Sequence, residues 1–166
     1  MSSSAPNFVL VTELQTLTRR DFPLADPTIL QPLGANPLLD GEWLDFNTSY
    51  QLQRDETGAG GTHEGELPSF PVFTERGRYD TQAIGKSSVL MFGMYEADTQ
   101  IVNTASLAIG SMLTVQDVTI SALTKRGLAK VVATSGSGVV VVGYVTKLYA
   151  GLTKVRFMHT GYQTLV

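Results

Sequence analysis

Four stretches decide how this chain is read: Gly110–Val118 (GSMLTVQDV), Gly127–Thr134 (GLAKVVAT), Gly136–Lys147 (GSGVVVVGYVTK) and Thr153–Gly161 (TKVRFMHTG). Each is short, rich in β-branched residues and bounded by Gly, Ser or Thr, with no helical period. They predict strands at Met112–Val115, Leu128–Val132, Val139–Val145 and Lys154–Met158. In the last, Val155 and Phe157 alternate with Lys154, Arg156 and Met158, the pattern of a half-buried strand. Ser135–Gly138 reads as a hairpin turn and Gly151 as another turn. Strands at spacings near ten residues predict a mainly β fold, a small β-barrel or sandwich.

Upstream, Gly41–Arg54 (GEWLDFNTSYQLQR) is strand-like with a polar break at Asn47–Ser49. Asp55–Glu66 carries Gly58, Gly60, Gly61 and Gly65 among charges and reads as a loop. Pro68–Phe73 is extended. Ser87–Tyr95 reads as one buried strand, with Gly93 allowing a bulge. Glu96–Gln100 reads as a polar turn, and Ile101–Val102 as the start of another strand.

Residues 1–40 differ from the rest. Five of the seven prolines fall there (Pro6, Pro23, Pro27, Pro32, Pro37), which excludes a long helix or a central strand. The segment is nevertheless rich in large apolar groups, among them Phe8, Val9, Leu10, Val11, Leu30, Leu33 and Leu38. A solvated tail would be poorer in them. The division expected is an extended N-terminal arm over 1–40 and a β-barrel domain over 41–166. The arm must lie on its own domain, a neighbouring copy or another protein, and deleting it is expected to leave a folded core.

Net charge is −3 and pI about 5.3, without the basic face that binding phosphate backbones requires. Residues 1–80 hold five Lys/Arg against twelve Asp/Glu, and residues 81–166 hold seven against three. Such asymmetry favours contact between the halves, within a chain or between protomers. Only 16% of residues are charged, against about 25% in a typical domain, as expected of a surface partly covered by something else. The start MSSSAPNFVL shows no secretory pattern. No apolar run is long enough to span a bilayer.

Catalytic signals are sparse. There is no cysteine, and His63 and His159 are the two histidines. His63 lies beside Glu64 and Glu66 in a glycine-rich loop, a poor preorganised metal site. His159 follows a strand and reads as an edge or interface residue. Gly58–Gly61 lacks phosphate-loop spacing, and no G-x-S-x-G elbow occurs. The reading is therefore a non-enzyme with no catalytic, metal or cofactor site. The turn ERGRYD places Arg76, Arg78 and Tyr79 together, types enriched at interfaces. The aromatic residues read as core and interface rather than a nucleic-acid platform, because residues 41–80 are acidic.

Residues 75–166 resemble the small β-barrel of tailed-bacteriophage head decoration, or capsid cement, proteins. The likeness rests on Gly110-Ser111-Met112-Leu113-Thr114-Val115, Gly127–Ala133, Val142-Gly143-Tyr144-Val145-Thr146-Lys147 and Val155-Arg156-Phe157. GRYDTQAIGK at Gly77–Lys86 also looks like a stretch found in phage virion proteins. The resemblance implies a virion protein, made in the host cytoplasm, that binds the major capsid protein on the capsid exterior as a homotrimer. The charge balance and the short apolar runs lead us to expect no nucleic-acid or membrane partner. Other virion sites (tail, connector, fibre base) and a ligand-binding barrel built on Asp80, Glu96 and His159 stay open. The candidate interface is Phe8, Val9, Leu10, Val11, Leu30, Leu33, Leu38, Arg76, Arg78 and Tyr79.

Overall fold

A computed structural model describes residues 8–12, 17–30, 36–47, 49–54, 70–73, 85–132 and 139–165. Eleven strands make up these residues: β1 (Phe8–Leu10), β2 (Thr18–Pro23), β3 (Trp43–Phe46), β4 (Leu52–Gln53), β5 (Phe70–Pro71), β6 (Lys86–Phe92), β7 (Tyr95–Thr99), β8 (Met112–Ile120), β9 (Leu123–Lys130), β10 (Val140–Leu148) and β11 (Val155–Thr164). The fold is mainly β and sandwich-like rather than a closed barrel. One layer is a six-stranded sheet in the order β1-β7-β11-β10-β8-β9. Every pairing within it is antiparallel.

The second layer is built from β6, β2, β4, β3 and β5. Two small sheets, β2–β6 and β4–β3–β5, supply most of its pairing. Single bridges, Leu24 to Leu52 and Val72 to Val89, join them. The layers share a core of Phe8, Trp43, Leu90, Tyr95, Leu113, Leu128, Val145 and Phe157. A second cluster of Leu24, Leu44, Leu52, Phe70, Val72 and Val89 lies within the short-stranded layer.

The register explains which face is buried. Phe8, Thr99 and Val155 form one row across the large sheet, and Leu10, Ala97, Phe157 and Val145 form the next inward row. Val9, Asp98, Arg156 and Lys147 lie between them and face outward, as the two-residue period of a pleat requires. Val155 and Phe157 are fully buried while Met158 is exposed, so the alternation read in Lys154–Met158 holds. Gly151 sits in the turn between β10 and β11, in a short 3-10 segment (Ala150–Leu152).

Several sequence expectations need correction. Ser87–Tyr95 is not one strand. The chain breaks at Gly93, whose φ of 111° is open to glycine and costly to other residues, and β6 and β7 enter different layers. Glu96–Gln100 is not a turn: β7 runs through it, between β1 and β11. Its polar residues are accommodated because Glu96 and Asp98 lie on the face opposite Tyr95, Ala97 and Thr99, where Glu96 is half-buried and Asp98, itself buried, is paired with Arg156 and Tyr149. Ile101–Val102 starts no strand and makes a single parallel bridge, from Val102 to Leu128.

Ser135–Gly138 lies outside the described residues. The flanking strands β9 and β10 are separated by β8, so they do not form a hairpin. A tight hairpin is present instead at β8–β9, closed by Ser121 and Ala122 with φ of 49° and 64°. Two left-handed residues suit the twist of a two-residue hairpin, but neither is the Gly or Asn that would advertise it.

Residues 8–10 and 18–24 are built into the sheets of their own chain. Phe8 is buried against Phe73 and Phe157, with ring centroids at 6.1 and 6.4 Å. Leu24 belongs to the second cluster. β2 pairs along β6 from Thr18 to Pro23. Proline is tolerated there because Pro23 ends its strand.

Candidate functional site: surfaces, a buried ion cluster and a seam pocket

The outward face of the large sheet carries a mixed surface. Val11 extends β1, its N–H donating to the Glu96 carbonyl at 2.8 Å. Glu96, Met158, Tyr144 and Met112 continue the same row across the sheet. Val9, Val11, Met112 and Met158 are 38–43% exposed. A stripe of exposed apolar side chains, interrupted by Glu96, therefore crosses a face where water would be expected to meet polar side chains.

Beside this stripe sits a charged group. Arg156 donates to Asp98 through Nε at 2.7 Å and Nη2 at 3.1 Å, and the Tyr149 hydroxyl donates to Asp98 at 2.8 Å. Burial pushes the Asp98 carboxyl up, but these hydrogen bonds outweigh it and hold the group below its ordinary range. Lys147 and Lys154 place their ammonium groups 4.7 and 4.3 Å from the centre of the Tyr149 ring, a cation–π arrangement.

A second polar group is buried where β3 meets β9. Glu42 is wholly buried. It accepts from Arg54 Nε and, at 3.0 Å, from Arg54 Nη2, and lies 3.5 Å from Lys125 Nζ. Lys125 also donates to the Pro37 carbonyl, and Arg54 donates to the Asn36 carbonyl at 2.8 Å. Asp45 faces Arg126 at 3.7 Å. Glu42–Lys125 and Asp45–Arg126 thus join the acidic first half to the basic second half within one chain. Each buried charge has opposite charge beside it, as burial demands.

A third feature is a pocket of about 410 Å³ at the seam between the layers. It is lined by Phe70, Met91, Gly93, Met94, His159, Thr160, Gly161 and Tyr162. His159 is a core residue, not an edge one. Its ring stacks on Tyr95 at 4.7 Å and meets Tyr162 edge-on at 5.4 Å. Burial lowers its pKa to about 4, so the ring is neutral at pH 7. Its Nδ1 lies 3.3 Å from the Gly93 carbonyl. A carbonyl only accepts, so Nδ1 carries the hydrogen. Nε2 has no partner. Tyr95, the register partner of His159, faces inward, and Glu96 faces outward. Glu96 and His159 therefore do not converge, and Asp80 lies outside the described residues.

Of the interface residues expected from sequence, Val9 and Val11 are exposed, Leu10 is half-buried and Phe8 is core. Leu38 packs on the second cluster. Leu30 lies in the 3-10 segment Pro27–Leu30. Leu33, Arg76, Arg78 and Tyr79 lie outside the described residues, as does His63. The stripe residues Met112 and Met158 and the cluster around Tyr149 were not singled out by sequence reasoning. The alternation around Val155 and Phe157 was the signal that placed Met158 outward. Among the described residues no group of His, Asp or Glu is placed to hold a metal ion, and no helix is long and apolar enough to cross a membrane. No protein-family model, curated protein or solved structure matches this chain.

Proposed function

We propose that this protein is a structural virion component, a capsid decoration subunit. It would bind the major capsid protein on the outside of a phage head and reinforce capsomer junctions. The single observation that carries the reading is the outward face of the large sheet. Exposed Val9 and Val11 lie at the β1 edge and exposed Met158 and Met112 further across the same face, with Glu96 between Val11 and Met158 and with Lys147, Lys154 and Arg156 alongside. Apolar area flanked by polar groups is the make-up of a protein–protein contact. An edge strand adds the capacity to extend a sheet into a partner.

The β-rich fold and the residue patterns over 75–166 support the same reading. Burial contributes about 25 cal/mol per Å² before association costs. Many modest contacts on one shell then reinforce each other through multivalency.

The test is to measure solution mass by light scattering, then mix the protein with phage heads prepared without it and sediment them. A defined oligomer, expected to be a trimer, that travels with the heads supports the proposal. A monomer that stays in the supernatant overturns it.

A further inference from the structure

The seam pocket stands apart from the outward face. His159 lies in its wall on the inner side of β11, while Met158 of the stripe faces the other way. Four side chains dominate the wall: the rings of Phe70 and Tyr162 and the thioethers of Met91 and Met94. Gly93 and Gly161, with φ of 111° and 87°, bring backbone rather than side chain to the remaining wall. A Cβ built on Gly161 would meet nothing within 4 Å, so the space beside it is open. The volume lies within the range of small-molecule sites, about 300–1,000 Å³.

We propose that this pocket binds one neutral aromatic small molecule. The rings in and beneath the wall already pack edge to face: Phe70 on Tyr162 at 5.8 Å and 72°, and Tyr162 on His159 at 5.4 Å and 76°. A guest ring adds another member to that set in the geometry aromatic pairs prefer. Methionine sulfurs favour the edges of aromatic rings and adapt to irregular shapes.

Charge decides the rest of the specificity. Among the described residues no Lys, Arg, Asp or Glu lines the pocket, and His159 is uncharged near neutrality. An ionic guest would lose its water without gaining a partner. The Thr160 hydroxyl and His159 Nε2, both buried and without a hydrogen-bond partner, are polar atoms of this wall available to a weakly polar substituent.

The only tryptophan, Trp43, reports on the site, because its ring lies 6.2 Å from that of His159. The experiment titrates the full-length protein with N-phenyl-1-naphthylamine, a neutral probe, and follows Trp43 emission together with probe emission. Saturable binding at one site, with Trp43 emission falling as probe emission rises, is expected. The anionic 8-anilino-1-naphthalenesulfonate should bind at least about tenfold more weakly. Met94 is 65% exposed at the rim, so Met94→Lys keeps the fold and should weaken the neutral probe at least about tenfold. Met158→Lys, on the opposite face, should leave binding unchanged. If Met94→Lys alters the unliganded Trp43 spectrum, Met94→Gln replaces it, with a several-fold loss expected. Absence of saturable binding, equal affinity in the Met94 and Met158 variants, or tighter binding of the anionic probe overturns the proposal.

Discussion

The two layers of this protein are held together in different ways. The large sheet has four long consecutive strands, β8 to β11, of eight to ten residues each. β8–β9 and β10–β11 are neighbours in both sequence and space, so loop closure costs little. The other layer uses β3, β4 and β5, of four, two and two residues. Its pairing alone could not hold it. Distant partners secure it instead: β2 on β6, Trp43 against Phe157 at 6.4 Å, and Glu42 against Lys125. Local pairing makes a strand legible and robust, whereas long-range anchoring makes a segment depend on single residues.

The sharpest way to break this comparison is to remove residues 1–40. That deletes β1 and β2 with Phe8 and Leu24, whose truncations alone each cost about 2–5 kcal/mol. The variant is expected to lose cooperative melting by circular dichroism and the native Trp43 emission. A retained two-state melt would instead make the segment a detachable arm.

Next in size is Glu42→Gln, which strands Arg54 and Lys125 without their carboxylate. Breaking a buried pair costs about 3–5 kcal/mol, read as a lower urea midpoint. Asp117→Asn removes a half-exposed partner of Arg126 and should cost no more than about 1 kcal/mol.

The third prediction concerns pH. The unfolded chain protonates His159 near its ordinary 6.5, while the folded chain does so only near 4. Between those values the unfolded state binds more protons, so this residue makes stability fall as pH drops from about 6.5 to 4. The loss amounts to about 3 kcal/mol. Above 6.5 it contributes no pH dependence. Asp98, whose pKa is lowered, acts differently: its contribution is lost only as pH falls below the usual carboxylate range. Urea titrations of the wild type and His159→Phe across pH 4–7 should differ in slope within that window and run parallel above it.

The smallest effect on folding is expected of Val9→Lys, which puts a cation opposite Asp98. It should change stability by no more than about 0.5 kcal/mol, as an exposed site does, yet abolish co-sedimentation with heads. Loss of folding would move Val9 from the surface side of the comparison to the core side.

Legibility followed the same divide. Val155, Phe157, Leu113 and Leu128 sit in alternating or compact apolar runs, and the structure buries all four. β7 was not legible because YEADT is polar by composition, and its outward Glu96 and Asp98 hide an inward row of Tyr95, Ala97 and Thr99. The β8–β9 hairpin was hidden because Ser121 and Ala122 take conformations usually left to Gly and Asn. His159 gave no sign of burial, since a histidine after a strand reads the same on either face. The pocket it walls depends on residues from β5, β6 and β11, which no sequence window contains.

Side-chain periodicity, proline placement and charge count are local properties, and from them the chain alone determined a mainly β protein. Only the tertiary structure decided that residues 8–10 and 18–24 belong to the sheets, that β6 and β7 part at Gly93, and that Glu42 meets Lys125. Those outcomes rest on which distant surfaces bury each other, and burial is a property of the whole chain rather than of any segment.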